Sequence, residues 1–270
     1  MKQKDIKAFR AWFSEYVSRY LKNDQEYDYA VTLKKDHTER VCENIIQLGK
    51  ALNLSEQDMI LAETIALFHD LGRFRQYAEY GTFKDADSEN HAKLSVRELA
   101  LNKVLAGCSS TERRTVVKAV AWHNALNLPG NVDEKDLFFM KLIRDADKLD
   151  IWGVFADLYK DKKHNSVVEL GLPDLPVCSE NAIESLMQGR MVRLENIKTL
   201  NDFKLLQLSW VYDINFSQSL VIANQRKDLD IICDSLPRSK KLTKAINAAR
   251  DYFIIQSSLD DPLTDSLQLN

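Results

Sequence analysis

Apolar residues recur at helical spacing through almost the whole chain. In the first segment, Phe9, Trp12, Phe13 and Tyr16 follow the i, i+3, i+4, i+7 pattern that places side chains on one face of a helix. No segment alternates between apolar and polar residues over the length of a strand. The pattern therefore predicts an all-α fold in which this aromatic face is buried.

Capping residues suggest where the next two helices begin and end. A second helix is predicted to begin near His37, and a third to begin at the capping box of residues 55–58. The third is expected to end at Leu71-Gly72, because glycine readily takes the left-handed conformation that follows many helices. Residues 77–90 contain a glycine and clustered polar side chains, which indicates an ordered loop.

Three further helices are predicted to start at polar clusters in residues 88–90, 109–111 and 133–136. The last of them is long and extends past Asp147. After the Gly/Pro-rich residues 171–176, helical periodicity returns near residues 180–194, 201–225 and 239–256. We therefore predict a helical core over residues 1–165, with residues 166–270 as additional C-terminal helices packed on it in one domain.

Composition limits the classes of partner. The 270 residues carry a formal net charge of −3, so there is no general basic field for nucleic acid or anionic lipid. No apolar run approaches the roughly 20 residues that span a bilayer, and the N-terminus lacks the apolar core of a signal peptide. Four widely spaced cysteines form no CxxC pair, which is typical of reduced thiols. A cytoplasmic protein without polymeric or membrane partners is expected.

Six potential metal ligands are spread over the first 150 residues. They are His37, His69, Asp70, His91, His123 and Asp147. Imidazoles mixed with carboxylates suit iron, manganese, zinc or cobalt. One ion that keeps a position open for chemistry needs fewer ligands, whereas two ions that share a bridging group need about this number. The set includes four of the five histidines of the chain, each within or beside a predicted helix.

Three segments resemble the HD-domain metal-dependent phosphohydrolase superfamily, whose ligand pattern is H…HD…D on a helical bundle. The matching segments are residues 36–41, 66–73 and 145–149. The resemblance covers about residues 30–160 and implies an HD-domain helical bundle. It assigns the last ligand to Asp147. Asp145 and Asp150 are left as candidates for side chains that contact the metal ligands rather than the metal.

His91 and His123 match the extra histidines of the binuclear branch, which resembles dinucleoside-tetraphosphate hydrolases and cyclic-dinucleotide phosphodiesterases. The chain lacks the Gly-Tyr-Pro signature of the phosphodiesterases, and it has Trp122-His123-Asn124 where they carry His-His-Glu. These departures argue against a cyclic-dinucleotide substrate. The mononuclear nucleotidase branch would leave both histidines unexplained.

The resemblance also implies roles for individual residues. One ion would be held by His37, His69 and Asp147, the other by His91 and His123, and Asp70 would bridge them. Iron and manganese are favoured, with zinc, cobalt, nickel or magnesium as alternatives. Asp70 and Arg73 are assigned catalytic roles, Arg73 as a phosphate ligand. Weaker candidates for phosphate contacts are Arg40 and Lys148. Independently of the resemblance, Asp213 lies amid large apolar residues, so it could contact a ligand or form a hydrogen bond between helices, and residues 80–85 could close over the substrate.

The implied reaction is hydrolysis of a phosphomonoester, phosphodiester or phosphoanhydride by a metal-activated water. The substrate would be a nucleotide or another small phosphorylated metabolite, and the exposed sides of the helices could mediate a homodimer. Two alternatives remain open. A di-iron oxygenase would use the same ligands with O₂, and a non-catalytic module would use the metal only to stabilise a ligand-binding fold.

Overall fold

The computed structural model describes residues 1–161, 169 and 171–258. The chain divides into two compact units, Met1–Asp150 and Ile151–Asn270, and this division falls inside a helix. The predicted boundary between residues 165 and 166 lies outside the described residues. The described residues contain α-helices and short 3-10 helices and no β-strand, which confirms the all-α prediction. None of the described helices is long and apolar enough to cross a membrane.

The first unit is built from helices joined by short connections. They are α1 (Gln3–Ser18), α2 (Gln25–Ala51), α3 (Glu56–Phe68), α4 (Gly72–Tyr80), α5 (His91–Leu101), α6 (Ser110–Trp122) and the first part of α7 (Glu134–Lys160). The predicted aromatic face of α1 packs against the end of α3. The rings of Phe9 and Trp12 contact Phe68 edge-on, at centroid distances of 5.5 and 5.9 Å. This contact anchors the residue that precedes His69.

Helix α2 begins at Gln25, well before the predicted start near His37. The carboxylate of Asp24 accepts a hydrogen bond from the backbone N–H of Tyr27 and so caps the helix. The additional turns bury only the small side chains of Ala30 and Val31, which gave a weak apolar signal in the sequence. His37 therefore lies in the middle of a long helix, with helical turns before and after it that fix the position of its backbone.

The prediction for the end of α3 is wrong. The helix ends at Phe68, and Gly72 begins α4 without a positive φ. Glycine is needed there because a Cβ at position 72 would lie 2.4 Å from the carbonyl oxygen of His91 and from the amide nitrogen of Ser95. It permits close approach of α4 to α5. A left-handed glycine instead follows α4, where Gly81 has a φ of 66° and ends the helix.

Residues 81–90, called the 81–90 segment below, connect α4 to α5. The predicted loop of residues 77–90 is therefore shorter, because its first four residues are helical. The segment contains one 3-10 turn, Asp85–Asp87. Asn90 caps α5 and Ser109 caps α6, in agreement with the predicted starts of both helices.

Among its described residues, the second unit contains the rest of α7 and five further helices. They are α8 (Glu180–Met187), α9 (Leu200–Ser209), α10 (Ser217–Arg226), α11 (Asp228–Asp234) and α12 (Lys240–Ser258). The helix predicted near residues 201–225 is interrupted at Ser209. The hydroxyl of Ser209 donates a hydrogen bond to the carbonyl oxygen of Leu206, and the chain continues as a 3-10 helix. The helix predicted near 180–194 ends early, and Gly189 then takes a left-handed φ.

Candidate metal centre

The six candidate ligands come together inside the first unit. His37 lies in α2 and Asp147 in α7, while His91 is the first residue of α5. His69 and His123 occupy the C-cap positions of α3 and α6. The four histidines and Asp70 are buried, each with at most 6% of its surface exposed. Asp147 is the most open, with 21% of its side chain accessible.

A first group of ligand atoms surrounds one point. The Nε2 atoms of His37 and His69 lie 3.3 Å apart, and Oδ2 of Asp70 is 3.5 Å from the first of them. Oδ1 of Asp147 lies 3.2 Å from Nε2 of His37 and 3.8 Å from Nε2 of His69. The spacing of the atoms from His37, His69 and Asp70 is compatible with a shared metal ion.

A second group uses the other oxygen of the same carboxylate. The Nε2 atoms of His91 and His123 lie 3.0 Å apart. Oδ1 of Asp70 is 3.5 Å from the first and 3.7 Å from the second. This spacing is also compatible with a metal ion. Asp70 thus presents one oxygen to each pair of histidines.

Two of the imidazoles are oriented by backbone carbonyls. Nδ1 of His69 donates to the carbonyl oxygen of Ala66, and Nδ1 of His123 donates to that of Val120, both at 2.7 Å. A carbonyl oxygen can only accept, so Nδ1 carries the hydrogen in each ring. The lone pair on Nε2 then points into the cluster. This tautomer is the one that binds a metal through Nε2.

The other two imidazoles are oriented by carboxylates. Nδ1 of His37 lies 2.6 Å from Oδ2 of Asp150, and Nδ1 of His91 lies 2.7 Å from Oδ2 of Asp85. Arg40 donates from Nε to Oδ1 of Asp150 at 2.5 Å. Carboxylate–histidine pairs of this kind raise the basicity of a metal-binding imidazole. Asp150 thus agrees with its expected place behind a ligand, and Asp85 was not anticipated.

The donor set fits cations. The facing Nε2 atoms of His91 and His123 are both acceptors once Nδ1 carries the hydrogen, and two lone pairs 3.0 Å apart repel each other. Oδ1 of Asp70 is buried beside them with no hydrogen-bond partner. A buried acceptor without a partner is costly unless a cation compensates it. Mixed nitrogen and oxygen ligands suit borderline divalent ions.

The electrostatic environment differs from one ligand to the next. Burial lowers the pKa of His69 to about 4, and burial together with the charge of Arg73 lowers the pKa of His91 to about 3. At His37, burial and Lys34 act in the same direction, but hydrogen bonds to Asp147 and Asp150 outweigh them and raise its pKa to about 9. The carboxylates around His37 thus favour a positive charge there.

Both ligand carboxylates are held ionised. Burial alone would raise the pKa of Asp70, but the charges of Lys34 and Arg73 hold it well below its ordinary value. At Asp147, burial is likewise outweighed, in this case by the hydrogen bond and charge of His37, so the pKa is lowered. Near neutral pH the centre therefore offers anionic oxygens from Asp70 and Asp147 and neutral imidazoles from His69 and His91.

Two cationic side chains reach the carboxylate of Asp70. Nζ of Lys34 donates to Oδ2 of Asp70 at 3.0 Å, and Nε of Arg73 lies 3.4 Å from Oδ1. The sequence prediction included Arg73 and missed Lys34. The available signal was its position three residues before His37, which places both side chains on one face of α2.

The remaining candidates occupy different environments. Arg40 contacts Asp150 rather than the bridging carboxylate, which places it behind His37. Lys148 is buried on α7, and Asp145 is fully buried. Asp213 lies in the second unit, at the end of a 3-10 helix, and is half-buried rather than enclosed. Substrate contacts by Arg40, Lys148 and Asp213 remain predictions.

Comparison with known proteins agrees with this geometry. Residues 35–152 match the family model of the HD domain, and this range contains all six candidate ligands. No curated protein and no solved structure shows significant similarity to the chain. HD domains bind divalent metals and indicate the superfamily of metal-dependent hydrolases. The buried histidines and aspartates are compatible with such a metal site. The chain therefore contains an HD domain, formed by residues 35–152.

Proposed function

We propose that this chain is a phosphohydrolase that uses two divalent metal ions. The observation that carries the proposal is the position of Asp70, whose two oxygens face two separate pairs of buried histidines. A carboxylate in this arrangement is suited to bridging two ions. The first would be held by His37, His69 and Asp147, and the second by His91 and His123.

Iron or manganese suits the mixture of imidazole and carboxylate ligands, and zinc, cobalt, nickel and magnesium are alternatives. When bound, such a pair of ions lowers the pKa of a water molecule to near neutrality and neutralises charge on a phosphoryl group. Asp70 would hold the two positions at a constant separation. The hydrogen bonds on Nδ1 of each histidine keep the rings oriented, so little reorganisation accompanies the reaction.

Lys34 and Arg73 would bind the outer oxygens of the phosphoryl group. Lys34 approaches Oδ2 of Asp70 and Arg73 approaches Oδ1, so both positive charges lie beside the positions that the ions and the substrate would occupy. Arginine offers a planar fork of donors that suits phosphate, whereas lysine acts as a compact charge. This pair of cations favours an anionic substrate such as a nucleotide or another small phosphorylated metabolite.

The proposal is tested by measuring phosphate release from a broad panel of nucleotides and phosphate esters. The protein is purified without chelator and assayed with Mn²⁺, and Asp70→Ala serves as the matched control. We expect release by the wild type and none by the variant, which lacks the bridging ligand. If no compound releases phosphate, O₂ consumption by the Fe²⁺-loaded protein would instead support oxygenase chemistry on the same ligands.

The assignment of ligands is tested separately by metal analysis. His123→Ala removes a ligand of the second group only, so we expect it to retain the first ion and lose the second. Wild type should hold two ions per chain under the same conditions. Two ions in His123→Ala would contradict the assignment, whatever the activity.

A further inference from the structure

The carboxylate behind His91 belongs to a connecting segment rather than to a helix of the bundle. Asp85 lies in the 3-10 turn of the 81–90 segment, and 30% of its side chain is exposed. Its counterpart behind His37 is Asp150, which lies within α7 and has 3% of its side chain exposed. The carboxylate that orients His37 is therefore held within a helix, whereas the carboxylate that orients His91 is held in a partly exposed connecting segment.

Asp85 connects several parts of the second ligand group. Besides His91, its oxygens accept hydrogen bonds from Arg73 at 3.1 Å and from Gln76 at 2.9 Å, both on α4. The amide of Asn124, the residue after His123, donates to Oδ2 at 3.3 Å. One carboxylate thus joins α4, the start of α5 and the end of α6 at the second group.

Further contacts hold the 81–90 segment over this position. The terminal nitrogen of Arg73 donates to the carbonyl oxygen of Phe83 at 2.5 Å. The side-chain nitrogen of Gln76, which is fully buried, also lies 2.8 Å from the hydroxyl of Ser88 and 2.8 Å from the carbonyl oxygen of Glu89. If these contacts opened, Asp85 would move away with the segment, and His91 would lose the partner that orients its ring.

We propose that Asp85 is a positioning residue for the second ion, and that binding of this ion is linked to the closed arrangement of the 81–90 segment. The inference rests on the two-ion function proposed above. Linkage is reciprocal, so closure tightens binding of the second ion to the same degree as the ion stabilises closure. The first ion, supported by Asp150 in α7, is largely independent of the segment.

The first test is a Mn²⁺ titration of wild type, Asp85→Asn and Asp87→Asn. Asp87 is exposed in the same 3-10 turn, so Asp87→Asn removes the same charge without the contact to His91. We expect Asp85→Asn to weaken binding of the second ion about 10- to 100-fold, the usual cost of losing such a partner. Binding of the first ion should be unchanged, which also shows that the variant is folded. Asp87→Asn should match wild type at both positions.

The second test is hydrogen exchange of residues 81–90 with and without Mn²⁺. In wild type, exchange of the segment should slow only as the second position fills, and in Asp85→Asn this protection should be lost at the same Mn²⁺ concentration. Wild-type affinity for both ions in Asp85→Asn would overturn the inference. Equal weakening of both ions would also overturn it, because Asp85 would then support the fold and not one position.

These outcomes are separate from those of the proposed function. Loss of the second ion in Asp85→Asn supports the inference even if no phosphate ester is hydrolysed. Phosphate release by wild type supports the function even if Asp85→Asn binds both ions normally. A wild-type chain that binds a single Mn²⁺ at saturation would contradict the two-ion centre and this inference together.

Discussion

Arg40, Arg73 and Lys34 have similar charges but occupy different places around the centre. Arg40 contacts the carboxylate that orients His37, so its charge acts through Asp150. Lys34 and Arg73 contact the bridging carboxylate itself, on opposite oxygens. Of these three side chains, Lys34 and Arg73 are therefore the ones proposed to bind phosphate. The three side chains differ in role because Arg40 contacts Asp150, whereas Lys34 and Arg73 contact Asp70.

Replacing Lys34 by methionine should weaken catalysis without removing metal. A hydrogen bond to a charged group contributes about 1.5–3 kcal/mol, so we expect kcat/KM for a phosphorylated substrate to fall about 10- to 100-fold. Lys35→Met is the matched control, because it removes the same charge one residue away. Metal analysis should find two ions in both variants. Loss of metal from Lys34→Met, or equal loss of activity in both, would contradict the role given to Lys34.

At the scale of the helices, one local arrangement supplies two of the ligands. His69 and His123 each follow the last residue of a helix, and each donates from Nδ1 to the carbonyl oxygen three residues earlier. A backbone carbonyl in the last turn of each helix thus orients the imidazole, so no other side chain is needed to hold the ring. The preceding aromatic residues, Phe68 and Trp122, complete the same pattern in both helices. Similar local sequences produce the same ligand geometry twice.

The close approach of α4 to α5 depends on Gly72. Alanine there would place a Cβ 2.4 Å from backbone atoms of His91 and Ser95, and these atoms cannot move without shifting the start of α5. We expect Gly72→Ala to lower the free energy of unfolding by about 1–3 kcal/mol and to weaken the second metal position. The measurements are urea unfolding and Mn²⁺ titration.

Gly107→Ala is the control for Gly72→Ala. Nothing lies within 4 Å of a Cβ added at the exposed Gly107, so the change in stability should stay within about 0.5 kcal/mol. If both variants unfolded at the same urea concentration as wild type, the close contact at Gly72 would not be a constraint on the packing of α4 and α5.

Helices α6 and α7 are joined through Asp136, which is fully buried in the first turn of α7. Thr115 and Lys118 on α6 donate to its carboxylate at 2.6 and 2.7 Å. Burial alone would raise the pKa of Asp136, but the hydrogen bonds from Lys118 and Thr115 outweigh it and lower the pKa. A lowered pKa in the folded state means that the ionised carboxylate stabilises the fold.

This stabilisation is present above the unfolded-state pKa of about 3.9 and is lost as pH falls through the lower pKa of the folded state. Asp136→Asn should therefore cost about 1–3 kcal/mol of unfolding free energy at pH 7. The difference from wild type should shrink below about pH 4, as measured by urea unfolding across pH. Glu134→Gln, an exposed change in the same turn, should show no such pH-dependent difference. A difference from wild type that persists undiminished at pH 3 would contradict the ionic contribution.

On the scale of the whole molecule, the ligands come from five helices spread along the first unit. Each metal ion would add a connection between helices that also contact one another through apolar packing and hydrogen bonds. A ligand that binds only the folded state stabilises it, by about 2.7 kcal/mol when its concentration is about 100 times its dissociation constant. Bound metal would therefore also stabilise the bundle.

Removal of metal by a chelator should lower the temperature at which the first unit unfolds by about 5–10 °C for each ion lost. Hydrogen exchange measured with and without chelator should locate the effect. We expect faster exchange in α2, α3, α5 and α6, with little change in α8–α12 of the second unit. Asp70→Ala should show no response to the chelator. An equal increase in exchange throughout both units would contradict a role confined to the first unit.

Much of the helical architecture could be predicted because its causes are local. The starts of α3, α5 and α6 depend on Ser55, Asn90 and Ser109, whose side chains cap the backbone a few residues away. The sequence also indicated the six candidate ligands, because the HD pattern and the residue types needed for a divalent ion are local features. The errors fall at the start of α2, where the apolar signal was weak, at Gly72, whose role depends on contacts with α5, and at the breaks after α8 and α9.

Only the tertiary structure revealed what surrounds those ligands. Lys34, Asp85 and Gly72 owe their roles to atoms contributed by other helices, at Asp70, His91 and Ser95. The two oxygens of Asp70 face two different pairs of histidines for the same reason. This arrangement depends on the positions of α5 and α6 relative to α2 and α3. Spacing along a chain determines which side chains share one helix face, but distances between helices depend on the packing of the whole core. The sequence alone therefore determined the elements and the ligand types, and the packing of the core decided which atoms meet.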